Sequence, residues 1–168
     1  MCGAVSGSVI DKLARVLTLG LGVLAIGVAG VASGQGQAQL QRRLEAATRL
    51  ECRFSVLATG TWNNATPSAT VSEAELTATF FDINVDEGTA EAESRFGESL
   101  IVVRYSQGYL HLMQMGTAGP LHLTTVLARE TAPGRLMAMH TRHEFTPTIL
   151  PGFTSRPEMY IGDCAIAS

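Results

Sequence analysis

Short alternating segments separated by glycine or proline turns are the feature that most constrains the fold of this chain. From Glu51 onward, apolar and polar residues alternate with a period of two, as in "ELTATFFDINV". This alternation is typical of β-strands, whereas an amphipathic helix repeats about every 3.6 residues. About eight such segments follow one another, by the strand-and-turn pattern. The sequence therefore predicts an all-β domain whose consecutive strands pair as an antiparallel meander.

The two ends of this domain carry a pair of cysteines that bears on how the meander is arranged. Cys52 lies on the first predicted strand, where Phe54 and Val56 are expected on the same face, and Cys164 lies on the last. In an oxidising compartment two lone cysteines so placed predict one disulfide. The alternative is a free thiol nucleophile that works with a histidine.

A Cys52–Cys164 bond would place the first and last strands close together. Bridged Cα atoms lie within ~7 Å of each other. The two strands are then neighbours, or they face each other across the core. Because neighbouring end strands are what closure requires, we predict a small closed or partly open barrel, with a β-sandwich as the alternative.

The N-terminal segment has the pattern of an export signal. Lys12 and Arg15 precede the uncharged run of residues 16–32, and small residues follow it. We predict a signal peptide, or an uncleaved hydrophobic anchor, over residues 1–34. A linker or short helix is expected over 35–50 and a single β domain over 51–168. The domain is then secreted or periplasmic, and it would contact a membrane only through an uncleaved N-terminal segment.

Composition excludes several classes of function. The net charge is −3, and Lys12 is the only lysine, so no basic patch is available to contact nucleic acid. A lysine Schiff base is likewise excluded from residues 51–168. There is no G-x-S-x-G motif. The sequence thus predicts no catalytic residue, no cofactor site and no metal site, and the protein is expected not to be an enzyme.

The stretch "MAMHTRHEF" is the strongest candidate for a functional cluster. If it is a strand, His140 and Arg142 point to one face and Thr141 and His143 to the other. The two histidines then cannot bind one metal ion unless a bulge intervenes. We take His140, Arg142 and His143, with His111, as the candidate functional cluster. The alternative is that these histidines are simply hydrogen-bonded on the two faces of a strand.

Two metal sites remain as alternatives. Thioether and imidazole ligands suit copper(I), and the relevant side chains lie on two predicted strands: Met113, Met115, Met137, Met139, His111 and His140. A calcium-loop spacing also occurs: Asp82, Asn84, Asp86 and Glu93. However, Glu87 stands where that loop needs glycine, so a strand that ends in a turn explains the same residues.

Three short motifs resemble those of a group of small secreted bacterial proteins. They are the C-x-F of "ECRFSV", the R-H pair of "HTRH" and the Y-x-G-x-C of "YIGDC". The resemblance covers most of residues 51–164. It implies export and supports the pairing of Cys52 with Cys164, but it implies no activity. The last two motifs are expected to pack together, with Arg142 pairing either Asp163 or Glu158.

These observations predict an exported, non-enzymatic β domain. Its central segments are apolar on both faces, which suggests that it binds an apolar small molecule, a lipid or a partner in the cell envelope. A structural or protein-interaction module is the main alternative. That module would have an interior filled by side chains and an exposed patch. A copper- or calcium-binding protein is the third possibility.

Overall fold

The computed structural model describes residues 34–94, 97–115, 120–145 and 156–167, with the side chains of 93, 94 and 97–100 left out. The chain divides into two compact units, Met1–Gln39 and Leu40–Ser168. The predicted export signal lies outside the described residues, apart from residue 34. Within the described ranges, no helix is both long enough and apolar enough to span a membrane.

A helix, α1, occupies residues 34–45, where the sequence left open a spacer or a short helix. In the second unit, its Leu44 is completely buried and belongs to the hydrophobic core. The backbone carbonyl of Gln41 accepts a hydrogen bond from the Tyr105 hydroxyl at 2.9 Å. These contacts tie this half of α1 to the strands that follow.

Eight strands follow α1, and each pairs antiparallel with the next. The last strand also pairs with the first, so the sheet closes into a barrel. The predicted all-β meander in a closed barrel is confirmed, and the sandwich alternative is not adopted. The strands are β1 (Leu50–Asn63), β2 (Thr66–Asn84), β3 (Thr89–Ser94), β4 (Gly97–Ser106), β5 (Tyr109–Met115), β6 (Leu121–Ala132), β7 (Arg135–His143) and β8 (Glu158–Ile166).

A disulfide joins the two strands at which the barrel closes. Cys52 of β1 and Cys164 of β8 are direct cross-strand partners, with their Cα atoms 3.9 Å apart. Both side chains are buried in the core. The predicted bond is therefore present, and it crosses the one junction of the sheet that a hairpin does not make.

A β-bulge on β1 overturns one detail of the expected alternation. Phe54 pairs with Gly162, but the next paired residue is Val56 with Ile161, so Ser55 is an extra residue. Phe54 is buried beside Cys52, whereas Val56 is only half-buried. The prediction that Val56 shares their face was wrong, because one inserted residue moves the following side chains to the other face.

The bulge brings β1 so close to β8 that only glycine fits at position 162. A Cβ atom there would lie 2.0 Å from the carbonyl oxygen of Arg53 and 2.6 Å from the Cα of Phe54. Both neighbours are backbone atoms, so no side chain can move aside. We expect Gly162→Ala to lower the free energy of unfolding by about 3 kcal/mol, as overpacking does. Urea unfolding measures this.

Gly60→Ala is the matched control, because Gly60 also lies on β1. A Cβ atom at that position would have no neighbour nearer than 3.7 Å, an ordinary contact with Pro157. Its stability should stay within about 0.5 kcal/mol of the wild type, as for most surface substitutions. Equal stabilities for the two variants would contradict the close approach at Gly162.

The first hairpin extends beyond the barrel as an arm, residues 60–63 and 66–73. Its two-residue turn is formed by Asn64 and Ala65, both with positive φ. Strand pairing resumes at Thr66, and Pro67 pairs with Trp62. Proline is tolerated there because β2 has no described partner on its other side until Phe80.

Fully buried apolar side chains fill the part of the barrel nearest α1. These are Leu44, Leu50, Leu110, Leu136, Val103 and Val126. We call this the helix end of the barrel, and the opposite end, where β7 finishes and β8 begins, the polar end. The two ends thus differ in chemistry, and the polar end carries the candidate site.

Candidate functional site

Three successive rows of inward-facing residues cross β6, β7 and β8, and their polarity increases toward the polar end. Each row consists of one residue per strand, aligned by the strand register. The apolar row is Val126, Ala138 and Gly162; the histidine row is Thr124, His140 and Tyr160; the ionic row is His122, Arg142 and Glu158. Strand alternation puts all three rows on the same face of the sheet.

His140 is the centre of the histidine row. Its Nδ1 lies 2.8 Å from the Thr124 hydroxyl, and its Nε2 accepts a hydrogen bond from Arg142 Nε at 3.3 Å. An Nε2 that accepts carries no proton, so the neutral ring has its proton on Nδ1. Burial, together with the nearby charges of Arg142 and His122, lowers the pKa of His140 from 6.5 to about 3. This ring is therefore neutral at physiological pH.

Arg142 links the histidine row to the ionic row. Besides its bond to His140, its Nη1 lies 3.6 Å from Glu158 Oε2, and its guanidinium lies 5.2 Å from the centroid of the Tyr160 ring. The Tyr160 hydroxyl donates to the same Glu158 oxygen at 2.8 Å. Burial, followed by that hydrogen bond, raises the pKa of Tyr160 to about 12. The guanidinium is thus oriented from three sides.

A second carboxylate–imidazole pair lies beside Arg142. His122 Nε2 is 2.9 Å from Glu144 Oε1, and the His122 ring is 5.9 Å from the His140 ring in an edge-on arrangement. About 31% of the His122 side chain and 24% of the Arg142 side chain are exposed, against 15% for each carboxylate. Solvent therefore reaches the ionic row, whereas Thr124 below it is almost completely buried.

The structure brings together only two of the four residues in the predicted cluster. His140 and Arg142 point inward, as strand alternation predicted. His143 points outward, where its Nε2 lies 3.1 Å from the Thr141 hydroxyl. His111 is separate from the others: it pairs with Arg104 and Thr125, hydrogen-bonds the Thr125 hydroxyl at 3.0 Å and stacks on Tyr109.

The expected partner of Arg142 is also resolved. Of the two acids proposed from sequence, it is Glu158 that Arg142 contacts. Asp163 instead pairs with Arg135, whose Nε lies 2.7 Å from Asp163 Oδ1. Asp163 faces outward beside Met137, because it is an odd number of residues from Glu158.

The structure separates the residues considered for copper binding on β7, since His140 points inward whereas Met137 and Met139 are exposed on the outer side of the strand. Among the described residues, no three His, Cys, Asp or Glu side chains are placed to hold a metal ion. At the calcium-like spacing, β2 ends at Asn84, whose side-chain oxygen accepts from the Glu87 amide at 3.1 Å, and Gly88 has a positive φ. This is the turn between two strands that the sequence favoured over a calcium loop.

The outer face of β7, β8 and β1 is apolar and exposed. Two rows of outward residues cross these strands without a charged side chain, and we call them the outer apolar face: Met139, Ile161 and Val56; Thr141, Met159 and Ala58. Ile161 is 49% exposed and Met159 42%. Further along β1, Trp62 packs edge-on against Phe145, with ring centroids 5.5 Å apart, and both rings are also exposed.

Sequence reasoning missed His122, Thr124, Glu144 and Tyr160 as members of the site. Their alternation was visible, since His122 and Thr124 are two residues apart on one strand. The register that aligns them with β7 was not visible in the sequence, because the β6–β7 pairing is irregular between Val126 and Ala132. Counting the same number of residues in both directions from the Pro133–Gly134 turn therefore aligns residues of β6 with the wrong residues of β7.

Comparisons with known proteins found no matching protein family, no matching curated protein and no matching solved structure. Function is therefore inferred from the chemistry of the residues themselves.

Proposed function

We propose that this chain is an exported, non-enzymatic binding domain that takes up a small molecule at the polar end of its barrel. The observation that carries the proposal is the ionic row, in which His122, Arg142 and Glu158 face the interior of a closed barrel while remaining partly exposed to solvent. Convergent polar side chains at the mouth of a β-barrel are a recurrent form of ligand site.

The filling of the helix end restricts what such a ligand looks like. An eight-stranded barrel is just wide enough for its own side chains or for one small ligand. Here buried leucines and valines occupy the helix end. A ligand is therefore small, and its polar group lies at the ionic row. This narrows the apolar molecule or lipid expected from the sequence to a molecule with a polar head.

Two further observations support the remaining parts of the proposal. The buried Cys52–Cys164 bond fits an oxidising compartment, in line with the predicted signal over residues 1–34. The low basicity of His140 supports the proposal that the domain is not catalytic. His140, with a pKa of about 3, is too weak a base to activate the almost completely buried Thr124 hydroxyl at neutral pH.

Native mass spectrometry of the full chain purified from cells tests this proposal. We expect the wild type to carry a small molecule that organic extraction releases, and Arg142→Gln to carry at least tenfold less of it. Arg129→Gln is the matched control, because Arg129 is exposed on the outward side of β6. A wild type without a bound molecule, or equal loading of all three proteins, would reject the proposal.

A second candidate is an interaction module that buries the outer apolar face against a second copy of the chain. Contiguous exposed apolar surface marks interaction sites. An uncharged apolar face is also compatible with itself, as a twofold-symmetric contact requires. The filled helix end and the exposed patch are the two features expected of such a module.

Sedimentation velocity over a range of concentrations tests the second candidate. We expect a wild-type dimer, and a monomer for Ile161→Glu, which places a charge in the outer apolar face. Val102→Glu is the control, because Val102 is 43% exposed on β4, which pairs with β3 and β5 and not with the strands of that face. A wild type that stays monomeric at about 100 µM, roughly a hundredfold above a micromolar Kd, would exclude this self-association.

A further inference from the structure

We propose that the arm pairs edge to edge with the arm of a second copy of this chain. The two β2 strands run antiparallel in a twofold-symmetric register centred on Val71. This inference is independent of the small-molecule site at the polar end, and it is an alternative to self-association through the outer apolar face. It follows from the open edge of β2, the two-sided polarity of the arm and the charge along that edge.

Along the arm, β2 directs a row of backbone groups away from β1. Gly60 of β1 donates its amide to the Pro157 carbonyl at 2.8 Å, on the side opposite β2. Its cross-strand partner is Ala69. Two opposite residues of an antiparallel pair either bond to each other or both point away, so the N–H and C=O of Ala69 point to the far edge of β2. Val71 and Glu73 follow at steps of two residues and share this direction.

No described strand covers this edge of β2 along the arm. In the described ranges, β3 pairs with β2 only from Phe80 to Asn84, and before Phe80 the partner of β2 is β1 alone. The side chains of residues 66–73 are all exposed. A row of N–H and C=O groups at an exposed strand edge is a template on which another strand can pair.

The two sides of the arm differ in polarity. Val71 lies opposite Ala58, a member of the outer apolar face, and strand alternation puts every second side chain on that side. Val71 is 73% exposed and Trp62 51%. The apolar side carries Trp62, Pro67, Ala69 and Val71, and the polar side carries Thr61, Asn63, Thr66, Ser68, Thr70 and Ser72.

An arm of this kind gains stability from additional strands. A two-stranded ribbon is marginally stable at best in water, whereas three or more strands with an apolar side are stable. Pairing with a second arm produces a four-stranded sheet whose apolar side is continuous across both copies. The exposed Val71 side chains then lie next to each other, about 5 Å apart between their Cβ atoms.

The charge along the edge makes it complementary to itself in this register. With Val71 opposite its own copy, Ala69 lies opposite Glu73 of the other copy. The two Glu73 residues are then four positions apart along the ribbon, or about 13 Å. Because this exceeds the screening length of about 8 Å at physiological ionic strength, the two carboxylates repel each other little.

Neighbouring registers are less favourable. A register centred on Glu73 would place the two carboxylates directly opposite each other, which destabilises a strand pair. A register centred on Ala69 would place Pro67 opposite Val71, and proline has no N–H to donate. Pro67 also ends the paired segment, so the contact closes as a dimer instead of growing into a longer sheet. These features assign a second copy of this chain as the occupant of the edge.

Electron–electron distances between nitroxide labels test the register. Thr66→Cys and Ser68→Cys each place a label on the polar side of the arm in a Cys2→Ala full chain, whereas Cys52 and Cys164 are bonded to each other. Across the proposed dimer, the copies of residue 68 are six positions apart and those of residue 66 ten positions apart. We expect distances of roughly 20 Å and roughly 33 Å, at about 3.3 Å per residue. The protein is measured at about 100 µM, above a micromolar Kd.

Val71→Pro tests the role of the backbone in the same labelled proteins. The substitution removes the N–H that Val71 directs to the open edge, whereas the β1–β2 bonds are made by the residues on either side of it. We expect it to abolish both intermolecular distances. Val71→Thr is the matched control, because it keeps the N–H, and both distances should persist.

The possible outcomes separate edge pairing from the proposed functions. Absence of an intermolecular distance in either labelled protein would overturn edge pairing, as would two distances that do not differ by roughly 13 Å, four residues of strand. A dimer that Ile161→Glu abolishes and Val71→Pro leaves intact would also overturn it, in favour of the outer apolar face. A dimer with both distances that Val71→Pro abolishes and Ile161→Glu leaves intact supports edge pairing. Each of these results leaves the small-molecule site to its own test by mass spectrometry.

Discussion

Replacing Cys52 and Cys164 together with alanine is expected to lower the free energy of unfolding by about 4 kcal/mol. The bond joins residues 112 positions apart. In the chain-entropy model, closing a loop of this length restricts the unfolded chain by roughly 4–5 kcal/mol. Two buried sulfur atoms are also lost from the core, which adds to the destabilisation. Urea unfolding of the full chain measures the difference.

Reduction provides an independent check of the disulfide prediction. In excess reductant, the wild type should unfold at nearly the same urea concentration as the double variant. Reductant should not change the urea concentration at which the double variant unfolds. Cys2→Ala, which removes a cysteine outside the bond, should match the wild type. A difference below about 1 kcal/mol between the wild type and the double variant would show that strand pairing alone closes the barrel.

The second large effect expected is a loss of stability in acid that depends on His140. The ordinary pKa of a histidine is 6.5, and that of His140 in the folded chain is about 3. Between these values the unfolded chain takes up a proton at this position and the folded chain does not. The stability that His140 contributes is therefore fully present above pH 6.5 and is lost as the pH falls toward 3. From pH 7.5 to pH 4 the loss is about 3 kcal/mol, at 1.36 kcal/mol per pKa unit.

The groups that face His140 explain the sign of this effect. Burial is the largest cause of the lowered pKa of His140, and repulsion from Arg142 and His122 adds to it. Glu158 contacts Arg142 and the Tyr160 hydroxyl, and Glu144 contacts His122, so neither carboxylate is paired with His140. His140→Gln should therefore lose about 3 kcal/mol less than the wild type between pH 7.5 and pH 4. Comparing the two proteins cancels the titration of the carboxylates.

His143→Gln is the matched control for the acid effect. His143 lies on the same strand but on the exposed outer face. Its replacement should leave the dependence of stability on pH unchanged. If His140→Gln and His143→Gln alter the acid sensitivity equally, the buried neutral histidine is not its cause.

Much of the fold could be predicted from the sequence because the relevant signals are local. The period-two alternation and the turn residues define strands without reference to the rest of the chain. The cysteine pair adds one long-range constraint, and it was enough to favour a closed barrel. The detail that failed was an insertion. One extra residue near Ser55 moved Val56 to the other face.

The candidate site was less predictable because it depends on register between strands. Alternation correctly separated His140 and Arg142 from His143. It could not show which residues of β6 and β8 lie beside them, because the β6–β7 ladder is irregular and thirteen residues separate Glu144 from Glu158, the first residue of β8. Only the strand register observed in the structure therefore assigns His122, Thr124 and Tyr160 to the site.

By itself, the sequence determined the strands of this protein, the order in which they pair and the bond that joins the first to the last. These follow from side-chain alternation, turn chemistry and a single pair of cysteines, which act over short distances or through one covalent link. The tertiary structure decided which polar side chains meet at the end of the barrel and which of them are buried. The free energy that keeps His140 neutral and orients Arg142 comes from neighbours on other strands, and a linear pattern contains no measure of that proximity.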